Sequence, residues 1–185
     1  MTGYVVPAPA VRPPRRGFTL IEAALTVAIV GFAILSLMTL SAALTGQNAA
    51  AGQSTTALLL ASNVQEGMAG LSFNDPAFAN TYFGPEPGEA LASFNDVDDF
   101  DGQTFSPPID AARRPVPGLA QYSQVVTVLP VYANRLNSNA NPASLDLPRT
   151  AYTGAARVLV RVMYRPHPAA AAREVYRTSW IRTAG

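Results

Sequence analysis

The sequence predicts an α+β fold, one long N-terminal helix followed by a small antiparallel sheet, and three observations carry that expectation. No proline interrupts the chain between Phe18 and Leu71, and the stretch is rich in alanine and leucine, which favour helix. Three later runs, Gln121–Tyr132, Arg157–Arg165 and Glu174–Arg182, are rich in valine and tyrosine, and the last two alternate at the period of half-buried strands. Sixteen prolines and thirteen glycines in 185 residues leave much of the remainder to loops.

Residues 18–43 read FTLIEAALTVAIVGFAILSLMTLSAA. The run is long enough to cross a bilayer core as a helix, which takes about 20 residues. It holds no proline and one charge, Glu22, and small residues (Ala23, Ala24, Ala28, Gly31, Ala33, Ser36) recur along it, as they do where helices approach closely in lipid. Arg12, Arg15 and Arg16 precede it, which predicts a cytoplasmic N-terminus and an exported C-terminal part. Net charge is +1; without those three arginines, 10 arginines face 12 acids, for −2. Nothing in that balance points to nucleic-acid contact.

Three readings of this segment compete. A secretory signal peptide has a shorter apolar region, about 7–15 residues, and no carboxylate near its start. A twin-arginine signal fits Arg15-Arg16-Gly17-Phe18 loosely but conflicts with Glu22 and with the length. The third rests on Gly17-Phe18-Thr19-Leu20-Ile21-Glu22 after a short basic leader. That arrangement resembles the processing site of type IV prepilins and type II secretion pseudopilins, and residues 57–70 resemble the corresponding helix end of minor subunits of the PilV and GspI type.

The resemblance implies a cleaved basic leader, 1–17, cut after Gly17 by a prepilin peptidase, with N-methylation of Phe18. It implies a transmembrane half-helix, 18–43, an amphipathic half, 44–70, and a globular region, 71–185, in a pilin-like fold. It also implies partners: other pilins or pseudopilins, the prepilin peptidase, an inner-membrane assembly platform and membrane lipid. An ionised carboxylate at membrane depth is costly and marks function by default. The resemblance implies that Glu22 meets the Phe18 amine of a neighbouring subunit and so sets axial register. The competing reading of Glu22 is a headgroup-level residue with no partner.

Beyond the apolar run, Leu58, Leu59, Ala61, Val64 and Met68 lie at helical spacing, with Ser62, Asn63 and Glu66 opposite. Gly46 and Gly52 weaken the middle, by about 1 kcal/mol each relative to alanine, and Gly70 is a natural stop. A helix of about 53 residues would be near 80 Å long. Residues 71–120 read as loops packed on the helix, with one short strand near Leu91–Phe94. Residues 134–150 read as a long exposed loop, and Pro166-His167-Pro168 as a hairpin-like return.

The only dense carboxylate cluster is Asp96-Val97-Asp98-Asp99-Phe100-Asp101-Gly102. Closely spaced aspartates in a glycine-bearing turn can supply the oxygens that calcium takes, so Asp96, Asp98, Asp99 and Asp101 are candidate ligands; the spacing is not that of an EF-hand. The other reading is a solvated acidic loop. No other cofactor is required. There is no cysteine, and the single histidine, His167, sits between two prolines, which removes most metal and nucleophile arrangements. No nucleotide-binding or hydrolase motif occurs, so the chain does not read as an enzyme. Two function classes remain: a structural fibre subunit, and a membrane-anchored extracytoplasmic binding protein or enzyme that uses the helix only as a tether. The second would keep its leader and would have no use for a glutamate at this position.

Overall fold

The computed structural model describes residues 17–75, 83–132, 147 and 153–184. One helix, α1 (Leu20–Ala69), precedes four strands, β1 (Thr104–Phe105), β2 (Tyr122–Pro130), β3 (Ala155–Tyr164) and β4 (Arg173–Thr183). The strands lie in sequence order in one sheet and every neighbouring pair is antiparallel. The α+β class and the three long strands thus stand where the sequence predicts them. The short strand expected near Leu91–Phe94 does not form. Residues 91–93 are a turn, and the two-residue β1 lies further on. Residues 134–146 and 148–150 of the expected long loop lie outside the described residues.

The chain divides after Asn48 into two units. In the first, α1 is apolar on every side, and Phe18, Leu20, Ile21, Val27 and Phe32 are each more than 70% exposed. The helix contains an 18-residue window of mean hydropathy 2.3, none of it buried, so it is long and apolar enough to cross a membrane.

In the second unit, residues 57–68 of α1 share a core with the sheet. Ala57, Leu60, Ala61, Val64 and Met68 are buried, a stripe at helical spacing. This corrects the sequence expectation at two positions: Leu58 and Leu59 are exposed, and Ala57 and Leu60 face inward. Consecutive leucines point about 100° apart on a helix, so the stripe's phase is set by the sheet it meets. The sheet's inner face follows from the cross-strand register: Val126 opposes Val160, Val128 opposes Val158, and Gln124 opposes Val162. All six are fully buried.

Gln124 is the polar member of that face. Its Nε2 donates to the Leu60 carbonyl on α1 (2.7 Å) and to the Ile109 carbonyl (3.1 Å), while its Oε1 accepts from the Ile109 N–H (2.8 Å). One amide therefore joins helix, strand and the segment before residue 110. The chain just after it comes close to the helix at Gly67, where an added Cβ would meet the Ala111 carbonyl oxygen at 3.2 Å. The helix ends at Ala69, one residue before Gly70, but Gly70 is not in the left-handed conformation. The Arg182 guanidinium on β4 donates instead to the carbonyls of Ala69 (3.2 Å) and Leu71 (2.8 Å), a side-chain cap of the positive sign that a helix C-terminus favours.

Replacing Gln124 with the similarly sized methionine leaves the Ile109 N–H and C=O unpaired inside the core. We expect a loss of about 2–6 kcal/mol, from a desolvation penalty of about 1–3 kcal/mol per buried unpaired group. Denaturant unfolding of the full chain in detergent measures it, and a loss below about 0.5 kcal/mol would show that the amide does not join these elements.

Candidate functional site

Two places carry the residues singled out by the sequence. The first is the start of α1. Thr19 caps the helix: its Oγ1 accepts from the Glu22 N–H at 3.3 Å, and its carbonyl accepts from the Ala23 N–H at 3.1 Å. Thr19-Leu20-Ile21-Glu22 thus has the T-x-x-E order of a capping box, which places an acid in the first turn, where the helix dipole favours it. Thr26 Oγ1 donates to the Glu22 carbonyl at 2.7 Å, so the backbone there is held from both sides. Gly17, Phe18 and Glu22 are exposed. Arg12, Arg15 and Arg16 lie outside the described residues.

The second place is the acidic loop, which the structure does not leave as a solvated turn. Asp96, Asp98 and Asp99 are 2%, 8% and 0% exposed; Asp98 and Asp99 open a short 3-10 turn, residues 98–100, and Asp96 lies just before it. Aspartates enter this interior because each one accepts from backbone N–H groups that no strand or helix pairs. Asp96 Oδ1 accepts from the N–H groups of Asp98 (3.1 Å) and Asp99 (3.2 Å). Asp99 Oδ2 accepts from Asn95 (2.8 Å) and Asp96 (3.1 Å), Asp98 Oδ2 from Gly84 (2.9 Å), and Asp101 Oδ1 from Val128 on β2 (2.8 Å). Phe100 sits at the centre, edge-on to Phe94 at 5.2 Å and to Phe105 at 6.0 Å. Arg113 closes the loop from outside. Its guanidinium lies over the Phe100 ring and donates to the carbonyls of Phe94 (2.6 Å) and Leu91 (3.3 Å).

Of the four aspartates expected to bind calcium together, the structure brings only Asp99 into a group of three carboxylates, and its companions are Glu86 and Glu89. Sequence reasoning passed over both glutamates. The signal that could have found them is Glu86-Pro87-Gly88-Glu89, the pattern of a type II turn with proline second and glycine third. Gly88 has φ +94° and the Glu89 N–H donates to the Glu86 carbonyl at 3.0 Å, so the turn forms and puts its two acids side by side.

Burial pushes the Asp96 carboxyl from an ordinary 3.8 up to about 8, with the negative charges of Asp98 and Asp99 adding to the effect. Burial raises Asp98 and Asp99 as well. A side-chain hydrogen bond between the two carboxyls raises Asp96 further and lowers Asp98. His167 is exposed in the β3–β4 connection and has no part in this loop.

The fold and these two places define an α+β protein with a membrane-length apolar helix and a carboxylate-rich loop tied to its sheet. Compared with protein-family models, curated proteins and solved structures, the chain matches none.

The acidic loop makes stability pH-dependent with a defined sign. The folded chain holds a proton on Asp96 that the unfolded chain releases above about pH 4, so stability is complete below that value and falls as pH rises toward about 8. In chelator-treated protein, the melting temperature should decline across this window. Asp96→Asn keeps the accepting oxygen and removes the titration, so its decline should be shallower, with Asp98 and Asp99 supplying the rest. A wild-type melting temperature that rises from pH 5 to pH 8 would contradict the assignment.

Proposed function

We propose that this chain is a structural subunit, a minor pilin or pseudopilin of a type IV pilus or a type II secretion pseudopilus. Its leader, 1–17, is removed by a prepilin peptidase between Gly17 and Phe18, and Phe18 is then N-methylated. The helix spans the inner membrane once, with Arg12, Arg15 and Arg16 on the cytoplasmic side and residues 71–185 outside it. The subunit then leaves the membrane for the fibre through its helix.

The observation that carries the reading is the first half of α1: a helix apolar on every side, with a single exposed carboxylate one turn from its start. Such a surface requires an apolar surrounding, whether lipid or the helices of neighbouring subunits. A carboxylate carried into either environment needs a partner, since an unpaired buried charge costs several kcal/mol. The amine that cleavage creates at Phe18 of an adjoining subunit is that partner. Thr19 supports the arrangement by capping the helix through its own hydroxyl.

Mass spectrometry of membrane-extracted protein should find a chain beginning at methylated Phe18. An assembled form that retains residues 1–16 would sink the reading and favour a tethered binding protein. Glu22→Ala and Glu22→Gln should both leave insertion and cleavage intact and lower incorporation into the fibre by about ten-fold or more, because each removes the counter-charge. Co-purification of the processed subunit with other fibre components measures this, and normal incorporation of both variants would refute the register role.

A further inference from the structure

We propose that Glu86, Glu89 and Asp99 together hold a divalent cation, with calcium as the ion they fit. One oxygen from each of the three carboxylates lies within 4.8 Å of the others. Two oxygens that ligate one calcium at about 2.3–2.6 Å can stand no more than about 5 Å apart, so the three already lie at the spacing of a shared ion.

A group of acids alone does not make a site, and here a second observation points to a ligand. Asp99 is completely buried. Its Oδ2 is occupied by the N–H groups of Asn95 and Asp96, yet no N–H or hydroxyl group among the described residues donates to its Oδ1. Glu86 Oε2 is likewise shielded from solvent and without a partner there. Buried polar atoms are nearly always paired, so two unpaired oxygens on two members of one three-carboxylate group need a common explanation. A shared cation provides one.

Nearby positive charge does not provide it. Arg113, the arginine that closes this loop, gives its guanidinium to the carbonyls of Leu91 and Phe94 and to the Phe100 ring. The ion pairs of Arg114 with Asp110 and of Arg177 with Glu174 do not touch the group. The crowding also appears in the acids themselves: after burial, a side-chain hydrogen bond with Glu89 and that residue's negative charge raise the Asp99 carboxyl.

The donor set selects the ion. Three carboxylates with no imidazole or thiolate suit a hard cation. The glutamates stand on a surface turn and Asp99 on the buried loop, so the coordination sphere is part flexible and part fixed, which calcium tolerates and the strict octahedron of magnesium does not. The ion would join the Glu86–Glu89 turn to the loop whose Asp101 holds β2, and thereby fix residues 84–101 on the sheet.

The test uses the full chain in detergent, stripped with chelator and titrated with calcium chloride or magnesium chloride by calorimetry and by melting temperature. We expect one calcium per chain with Kd of about 10⁻³ M or tighter, and a higher melting temperature on binding. Glu86→Gln and Glu89→Gln, both at half-buried positions, should each weaken binding by about ten-fold or more. Asp101→Asn, outside the group, should change it less than about three-fold. Absence of calcium binding at millimolar concentration in folded protein would overturn the proposal, because two protons then satisfy the oxygens. Binding that survives the double glutamine variant, or a preference for magnesium, would overturn it as well.

Discussion

The Gln124 side chain is the constraint on which the described fold turns. Its carboxamide sits in a wall of valines, fully buried, and can stay there only if all its groups are paired. The pairs it finds come from three separate parts of the chain: Leu60 on the helix, and both backbone groups of Ile109 on an otherwise irregular segment. An all-valine face could slide along the helix at small cost. A buried amide cannot, because any shift by one residue would strand its donor or the Ile109 N–H in an apolar site. The amide therefore sets the position of the helix on the sheet, and the inward phase of Ala57, Leu60, Ala61, Val64 and Met68 agrees with it.

The remaining irregular region is organised on the same principle with carboxylates in place of the amide. Between Gly84 and Asp101 few backbone donors have a strand or helix partner, and five of them are satisfied by aspartate oxygens, as is Val128 on β2. The cost appears as raised proton affinity, greatest at Asp96, where burial and two neighbouring carboxylates act together. Arg113 adds a second constraint: its backbone adopts φ +62°, uncommon for a residue with a side chain, and its guanidinium holds the carbonyls of the same loop. The loop is thus a structural counterpart of a secondary-structure element, built from side-chain bonds to the main chain.

At the start of α1, Glu22 stands in a local and a long-range context at once. Locally it is an acid in the first turn of a helix capped by Thr19, a place favoured by the helix dipole. Within the proposed fibre it is the counter-charge for a neighbour's amine. The two roles are compatible, because the Thr19 hydroxyl takes a backbone donor and leaves the Glu22 carboxylate exposed. A helix capped by its own threonine does not need the glutamate to begin, which leaves the carboxylate available for assembly.

The sequence by itself determined the α+β class, the extent of α1 to within two residues and the three long strands. Each of these depends on near neighbours: an unbroken run of helix formers, period-2 alternation, and a proline-bounded turn at His167. It also determined that one charge interrupts the apolar run, since a run of that kind is legible without any partner. Only the tertiary structure decided which of Leu58, Leu59 and Leu60 turns inward, because helix periodicity fixes the spacing of a stripe but the facing sheet fixes its phase. It placed the helix cap on Arg182, 113 residues beyond Ala69. It also regrouped the acids. In sequence Asp96, Asp98, Asp99 and Asp101 form one cluster, while in space Asp99 joins Glu86 and Glu89, because a tight turn delivers the two glutamates to the buried loop.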